Sequence, residues 1–121
     1  NETILLAEDD PSLRELAGKA LESFGYSVIF AENGEETITK FMENRERISL
    51  LLLDMIMPKI NGKEAAEKIC KIYPGVKILL TSGYPMDSIK TNELTTIAFD
   101  FIVKPFSLKA FLLKVREVMD K

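Results

Sequence analysis

Residues 50–53 are four consecutive leucines, closed by Asp54. A strand with one wet face alternates apolar and polar residues, because successive side chains point to opposite sides of a sheet. An unbroken apolar run of this length belongs to a strand covered on both faces, as in a parallel sheet with helices on either side. Three more runs follow the same pattern. Residues 4–7 end at Glu8-Asp9-Asp10, residues 78–80 lead to Ser82, and residues 101–103 end at Lys104. As parallel strands, these runs project all of their terminal polar groups from one edge of the sheet, the edge at which open α/β sheets bind ligands.

Between the runs the apolar spacing turns helical. Asp10-Pro11 predicts an N-cap followed by proline at the first helical position. Leu13, Leu16, Ala17, Ala20, Leu21 and Phe24 then form one expected stripe, ended by Gly25. Gly18 inside it costs roughly 1 kcal/mol relative to alanine, with no reason visible in the sequence. Residues 27–31 predict a second strand, closed by Asn33-Gly34. Ile38, Phe41 and Met42 mark a short helix. Pro58 and Asn61-Gly62 are expected to form the loop after Asp54. Ala66, Ile69, Cys70 and Tyr73 give another stripe, stopped by Pro74-Gly75. Residues 76–81 and 99–103 predict the last strands, and residues 85–96 a weakly periodic helix. Ser107 caps a final helix that turns Leu108, Phe111, Leu112, Val115 and Met119 inward. Strands alternating with helices give right-handed βαβ units. One domain over residues 1–121 is expected.

Composition narrows the chemistry. The chain carries a net charge of −3, which disfavours the basic stripe of a nucleic-acid binder. No apolar run approaches the ~18 residues of a membrane span. The single Cys70 has no internal disulfide partner, in keeping with a reducing compartment. There is no histidine, so Ser-His-Asp catalysis and histidine-ligated zinc are excluded. Any phosphohistidine chemistry draws on another polypeptide or on a domain beyond this sequence. Asn1 in place of Met suggests an excised or processed piece, and no output domain is expected after Lys121.

Glu8, Asp9 and Asp54 are the sharpest feature. Carboxylates ~4 Å apart repel by about 4 kcal/mol at an effective dielectric near 20. Such a cluster calls for a cation or a raised pKa. Magnesium suits it, since it binds through carboxylates and phosphate oxygens. Asp54 also has the chemistry of a nucleophile that forms an aspartyl-phosphate. Phosphoryl transfer asks for little beyond positioning and charge neutralisation. Lys104 offers the charge, and the Ser82 hydroxyl and Gly83 N–H offer hydrogen bonds.

The pieces LLAEDDPSLRELAGKALESFGY, LLLDMIMPKINGKE, ILLTSGYP and FDFIVKPFS, in that order, resemble the receiver domain of two-component response regulators. The wording TSGYP and KPF resembles the receivers of hybrid sensor histidine kinases. The resemblance implies a flavodoxin-like (βα)5 doubly wound parallel sheet with strand order 2-1-3-4-5. It implies that Asp54 accepts a phosphoryl group from a partner's phosphohistidine, and that magnesium sits at Asp9 as a direct ligand, Glu8 through water, Asp54 and the backbone carbonyl of Ile56. It gives Ser82 and Lys104 catalytic and phosphate-binding roles beside Gly83, and makes Ser82 and Phe101 the switch pair. Thr81 competes with Ser82, but its place inside the strand favours Ser82. The Lys104–Pro105 peptide is expected to be cis. The implied partner is a histidine kinase or histidine phosphotransfer domain, in trans or in the same full-length chain. Neither nucleic acid nor membrane is an expected partner of this domain, and the expected setting is cytoplasmic, with tethering where the domain belongs to a membrane kinase.

The sequence departs from the family pattern at Glu8, where Asp is commoner, at Ser82 for Thr, and at Phe101 for a frequent Tyr. Ile56 and Tyr84 are bulky where attacking water would pass. Other functions fit less well. A phosphatase with an aspartyl nucleophile would want an acid two residues after Asp54, where Ile56 stands. A flavodoxin-like cofactor binder would want a glycine- and hydroxyl-rich loop after the first strand, where Glu8-Asp9-Asp10 repel phosphate. A receiver-like module that no longer takes phosphate would not need the complete acid, Asp54, Ser82 and Lys104 set. The reading is a phosphoacceptor signalling domain, not an enzyme in isolation.

Overall fold

The structure, a computed structural model, describes residues 2–55, 57, 59–82, 100–103 and 107–120, leaving aside the side chains of residues 82, 100, 101 and 103. These residues form β1 (Thr3–Ala7), α1 (Pro11–Ser23), β2 (Ser27–Ala31), α2 (Gly34–Asn44), β3 (Ile48–Asp54), α3 (Gly62–Ile72), β4 (Ile78–Ser82), β5 (Asp100–Val103) and α4 (Leu108–Met119). The five strands make one sheet in the order β2-β1-β3-β4-β5. Every neighbouring pair is parallel. This is the flavodoxin-like arrangement and strand order the sequence led us to expect. The helix expected over residues 85–96 and the Lys104–Pro105 peptide lie outside the described residues.

The leucine run is explained by two cores, one on each face of the sheet. Leu51 and Leu53 join Leu5 and Ala7 of β1, Phe41 of α2 and Ala65, Ala66 and Ile69 of α3. Leu50 and Leu52 join Ile4 and Leu6, Leu21 of α1 and Phe111, Val115 and Val118 of α4. Alternate residues of β3 thus enter opposite cores, and residues 50–53 have no wet face to reward a polar residue. β3 begins earlier than expected. Its pairing with β1 shifts between Thr3, opposite Ile48, and Ile4, opposite Leu50.

Asp10 caps α1 as expected, its Oδ1 accepting from the N–H of Ser12 at 2.9 Å and of Leu13 at 3.3 Å. Gly25 follows the helix at φ 91°, a backbone position glycine adopts without strain. Ser107 caps α4 by accepting from the Ala110 N–H at 3.1 Å. The two Asn-Gly pairs are not loop closures. Asn33 and Asn61 are N-caps, accepting from the N–H of Glu36 at 2.8 Å and of Glu64 at 2.9 Å, and each following glycine opens a helix. The turn after Asp54 instead contains Lys59 at φ 69°.

The α1 stripe also differs from expectation. Of its six apolar members only Leu21 is fully buried, while Leu16 is 50% and Phe24 67% exposed. The helix is rotated because Gly18 faces the sheet and receives the ring of Phe30. A Cβ on Gly18 would stand 2.5 Å from Phe30 Cε1. That contact supplies the reason for the glycine which the sequence lacked. Tyr73 and Leu108, each placed on an apolar stripe by spacing, are likewise exposed, as is Met42, one of the residues that marked α2.

Candidate functional site at the carboxyl edge of the sheet

Register builds the site. Ala7 of β1 lies opposite Leu53 of β3, so the next residues, Glu8 and Asp54, leave the sheet side by side. Asp54 in turn lies opposite Thr81, and Ser82 opposite Val103, so the row continues across β4 to the end of β5. Glu8 and Asp54 are both buried, and Asp9 is exposed. One carboxylate oxygen from each of Glu8, Asp9 and Asp54 lies within 4.8 Å of the other two. At that separation, two full charges repel by about 3.5 kcal/mol at an effective dielectric of about 20. An all-oxygen, anionic donor set of this kind fits a hard divalent cation.

The backbone on both sides is held tightly. Glu8 N–H donates to Ala31 O at 3.1 Å, and Glu8 O accepts from Arg14 Nη1 at 2.8 Å. Glu8 Oε2 accepts from Asp10 N–H at 3.2 Å. Beyond Asp54, Met55 N–H donates to Thr81 O at 2.8 Å, and Gly62 N–H donates to Met55 O at 2.9 Å. Gly62 permits a close approach: a Cβ there would stand 2.1 Å from Asp54 O. The start of α3 is therefore pressed against the backbone of the central aspartate, which accounts for the glycine eight residues after it.

Three of the residues singled out in the sequence, Glu8, Asp9 and Asp54, are brought together. Ser82 is the last residue of β4, and Phe101 lies in β5 opposite Leu80. The side chains of both lie outside the described residues, as do Ile56, Gly83, Tyr84 and Lys104. Thr81, the competing hydroxyl, is buried, with its Oγ1 directed at Leu53 O at 3.5 Å. Cys70 packs against the α2–α3 core, and burial pushes its thiol pKa up, away from nucleophilic chemistry. Arg14 was not among the candidate residues. Its signal was legible: it is a cation close to the N-terminus of a helix, where the macrodipole disfavours positive charge, so it needs a tertiary partner.

Fold and site together define a doubly wound parallel α/β domain with an acidic centre at its carboxyl edge. The sequence matches the response regulator receiver domain over residues 4–116. It is 33% identical to the sensor kinase CckA of Brucella abortus over 98% of this chain, which corresponds to 13% of that protein. It is also 33% identical to the response regulator receiver protein CpdR of the same organism, over 96% of this chain and 95% of that one. Among solved structures, the response regulator TrrA of Thermotoga maritima in complex with Mg(2+)-BeF superposes with a TM-score of 0.87 at 33% identity, covering 98% of this chain and 99% of that one. The chain belongs to the response regulator receiver domain family, the signalling domains of two-component systems. No helix among the described residues is long and apolar enough to cross a membrane.

Proposed function

We propose that this single domain accepts a phosphoryl group on Asp54 from a phosphohistidine of a histidine kinase or phosphotransfer domain, and that magnesium supports the transfer. The observation that carries this reading is the meeting of Glu8, Asp9 and Asp54 within 4.8 Å at the carboxyl edge of the sheet. Asp54 Oδ forms the bond to phosphorus as the phosphorus–nitrogen bond of the donor breaks, and the donor imidazole leaves with the bonding pair and takes up a proton. With no histidine in this sequence, the donor lies outside it. Asp9 and Glu8 would hold the cation together with Asp54 and the Ile56 carbonyl. Bound there, magnesium neutralises charge on the carboxylates and phosphoryl oxygens. Lys104, Ser82 and Gly83 complete the anion's surroundings in this reading, and Ser82 and Phe101 respond to phosphorylation. The domain itself signals, and catalysis of a further reaction is left to its partners.

Similarity to CckA and to the magnesium-bound TrrA structure supports the proposal. The test is incubation with acetyl phosphate and magnesium, followed by intact mass and peptide mapping. One phosphoryl group on Asp54 is expected, lost in Asp54→Asn and in chelator. Equal labelling of Asp54→Asn overturns the assignment.

A further inference from the structure

Arg14 sits on the first turns of α1, yet among the described residues both polar contacts of its side chain lie off the helix. Its Nη1 donates to Glu8 O at 2.8 Å, and its Nη2 reaches Glu32 Oε1 at 3.4 Å in the connection between β2 and α2. The side chain is mostly buried, at 17% exposure, whereas Glu32 is 63% exposed. The two contacts are therefore unequal. The Glu32 pair is long and wet, a class of ion pair that contributes little. The Glu8 bond is short, charge-assisted and made to the peptide of a buried residue, where hydrogen bonds are strongest.

Glu8 is where β1 stops being a strand and the acidic turn begins. Its N–H is fixed by Ala31 and its carbonyl by Arg14, so the peptide is gripped from both sides just before Asp9. The Glu8 carboxylate then reaches forward to Asp10 N–H, and Asp10 caps α1. Arg14 thus ties the helix that follows the turn back to the residue that opens it.

We infer that Arg14 is a positioning residue for the cation site, anchoring the Glu8 carbonyl so that the carboxylates of Glu8 and Asp9 stay converged on Asp54. This rests on the proposal that these acids hold magnesium. It makes a prediction opposite in sign to simple electrostatics. Removing a cation beside an acidic cluster should tighten binding of another cation if charge alone matters. Loss of an anchor behind the ligands weakens it, and such outer contacts are typically worth about 10–100-fold in metal affinity.

The experiment compares the parent with Arg14→Met, which keeps an apolar stem but no donor, and Arg14→Lys, which keeps the charge without the planar fork. Magnesium affinity is read by NMR titration, and exchange of the Asp10 amide is read in chelator. Arg14→Met is expected to bind magnesium about 10-fold or more weakly. Its Asp10 amide, held by Glu8 in the parent, is expected to exchange faster without metal. Arg14→Lys falls between the two. Magnesium binding by Arg14→Met as tight as the parent's, or tighter, overturns the inference, as does unchanged Asp10 exchange. Should Arg14→Met fail to fold, Arg14→Lys decides: weaker binding supports the anchor and parental affinity overturns it. Asp9→Asn and Asp54→Asn serve as controls. Parental magnesium binding in both sinks the metal-site reading itself, while the exchange comparison, made without metal, still judges Arg14.

Discussion

Gly62→Ala tests the idea that α3 sets the position of Asp54 by direct backbone contact. The added Cβ would meet Asp54 O at 2.1 Å, Asp54 C at 2.8 Å and Met55 Cα at 2.9 Å, where ordinary contact begins near 3.4 Å. All three are main-chain atoms, so no side chain can swing aside. Either β3 or the helix start must move by more than an ångström. Overpacking of this kind costs about 1–3 kcal/mol. The Gly62 N–H bond to Met55 O is strained by the same movement, at about 0.5–1.5 kcal/mol. Alanine returns up to about 1 kcal/mol in helix propensity. The balance is a destabilisation of about 2 kcal/mol, or about 8 °C in Tm for a domain of this size. Urea denaturation in chelator measures it. Gly75→Ala is the matched control, because a Cβ there meets nothing within 4 Å, and it should be neutral or slightly stabilising. Since two of the three displaced atoms belong to Asp54, Gly62→Ala should also lose magnesium affinity and acetyl phosphate labelling while still folded. A Gly62→Ala protein as stable as the parent would refute the steric account. A destabilised protein with parental labelling would refute only its link to the site.

Further outcomes follow from the same structure. Gly18→Ala should be near neutral to about 1 kcal/mol destabilising in the parent, since helix propensity is offset by the clash with Phe30, and should turn stabilising in a Phe30→Leu background; denaturation of the four proteins of this cycle checks it, and additive effects would sink the contact. Asp9→Ala in chelator should be at least as stable as the parent, because it relieves repulsion within the acidic cluster; a marked fall in Tm would make Asp9 a structural residue. The Arg116 guanidinium, 2.9 Å from Glu2 Oε2, holds the Glu2 carboxyl below its ordinary value of 4.5. Its contribution is therefore present above pH 4.5 and lost as pH falls through the lowered folded value. The pair is exposed and screened by solvent, so Glu2→Gln should remove only a small part of the acid sensitivity and leave stability below that window unchanged.

Much of this protein was legible without coordinates because its signals are local. An unbroken apolar run requires two covered faces, and the structure supplies two cores that divide Leu50 and Leu52 from Leu51 and Leu53. Asp10-Pro11, Gly25 and Ser107 act within one or two turns of themselves, so their residue types suffice to place the ends of α1 and the start of α4. Glu8, Asp9 and Asp54 were legible as a group because each ends or follows a strand, and parallel strands carry their ends to one edge. What the sequence did not contain was the angle at which each helix meets the sheet. A stripe of apolar residues on α1 marks a broad arc, and only the docking of Phe30 onto Gly18 selects which part is covered and leaves Leu16 and Phe24 exposed. The Asn-Gly pairs were ambiguous for a related reason, since turn and cap use the same residues and only the neighbouring backbone decides between them. Gly34 and Gly62 are needed because main chain passes close by, at Ile60 and Asp54, and that approach exists only after α2 and α3 have packed. Arg14 belongs with them in part: its place near a helix N-terminus signals that it needs a tertiary partner, but not which one. Its partners are six and eighteen residues away, at the ends of β1 and β2, and they become neighbours only when the parallel register brings those ends together.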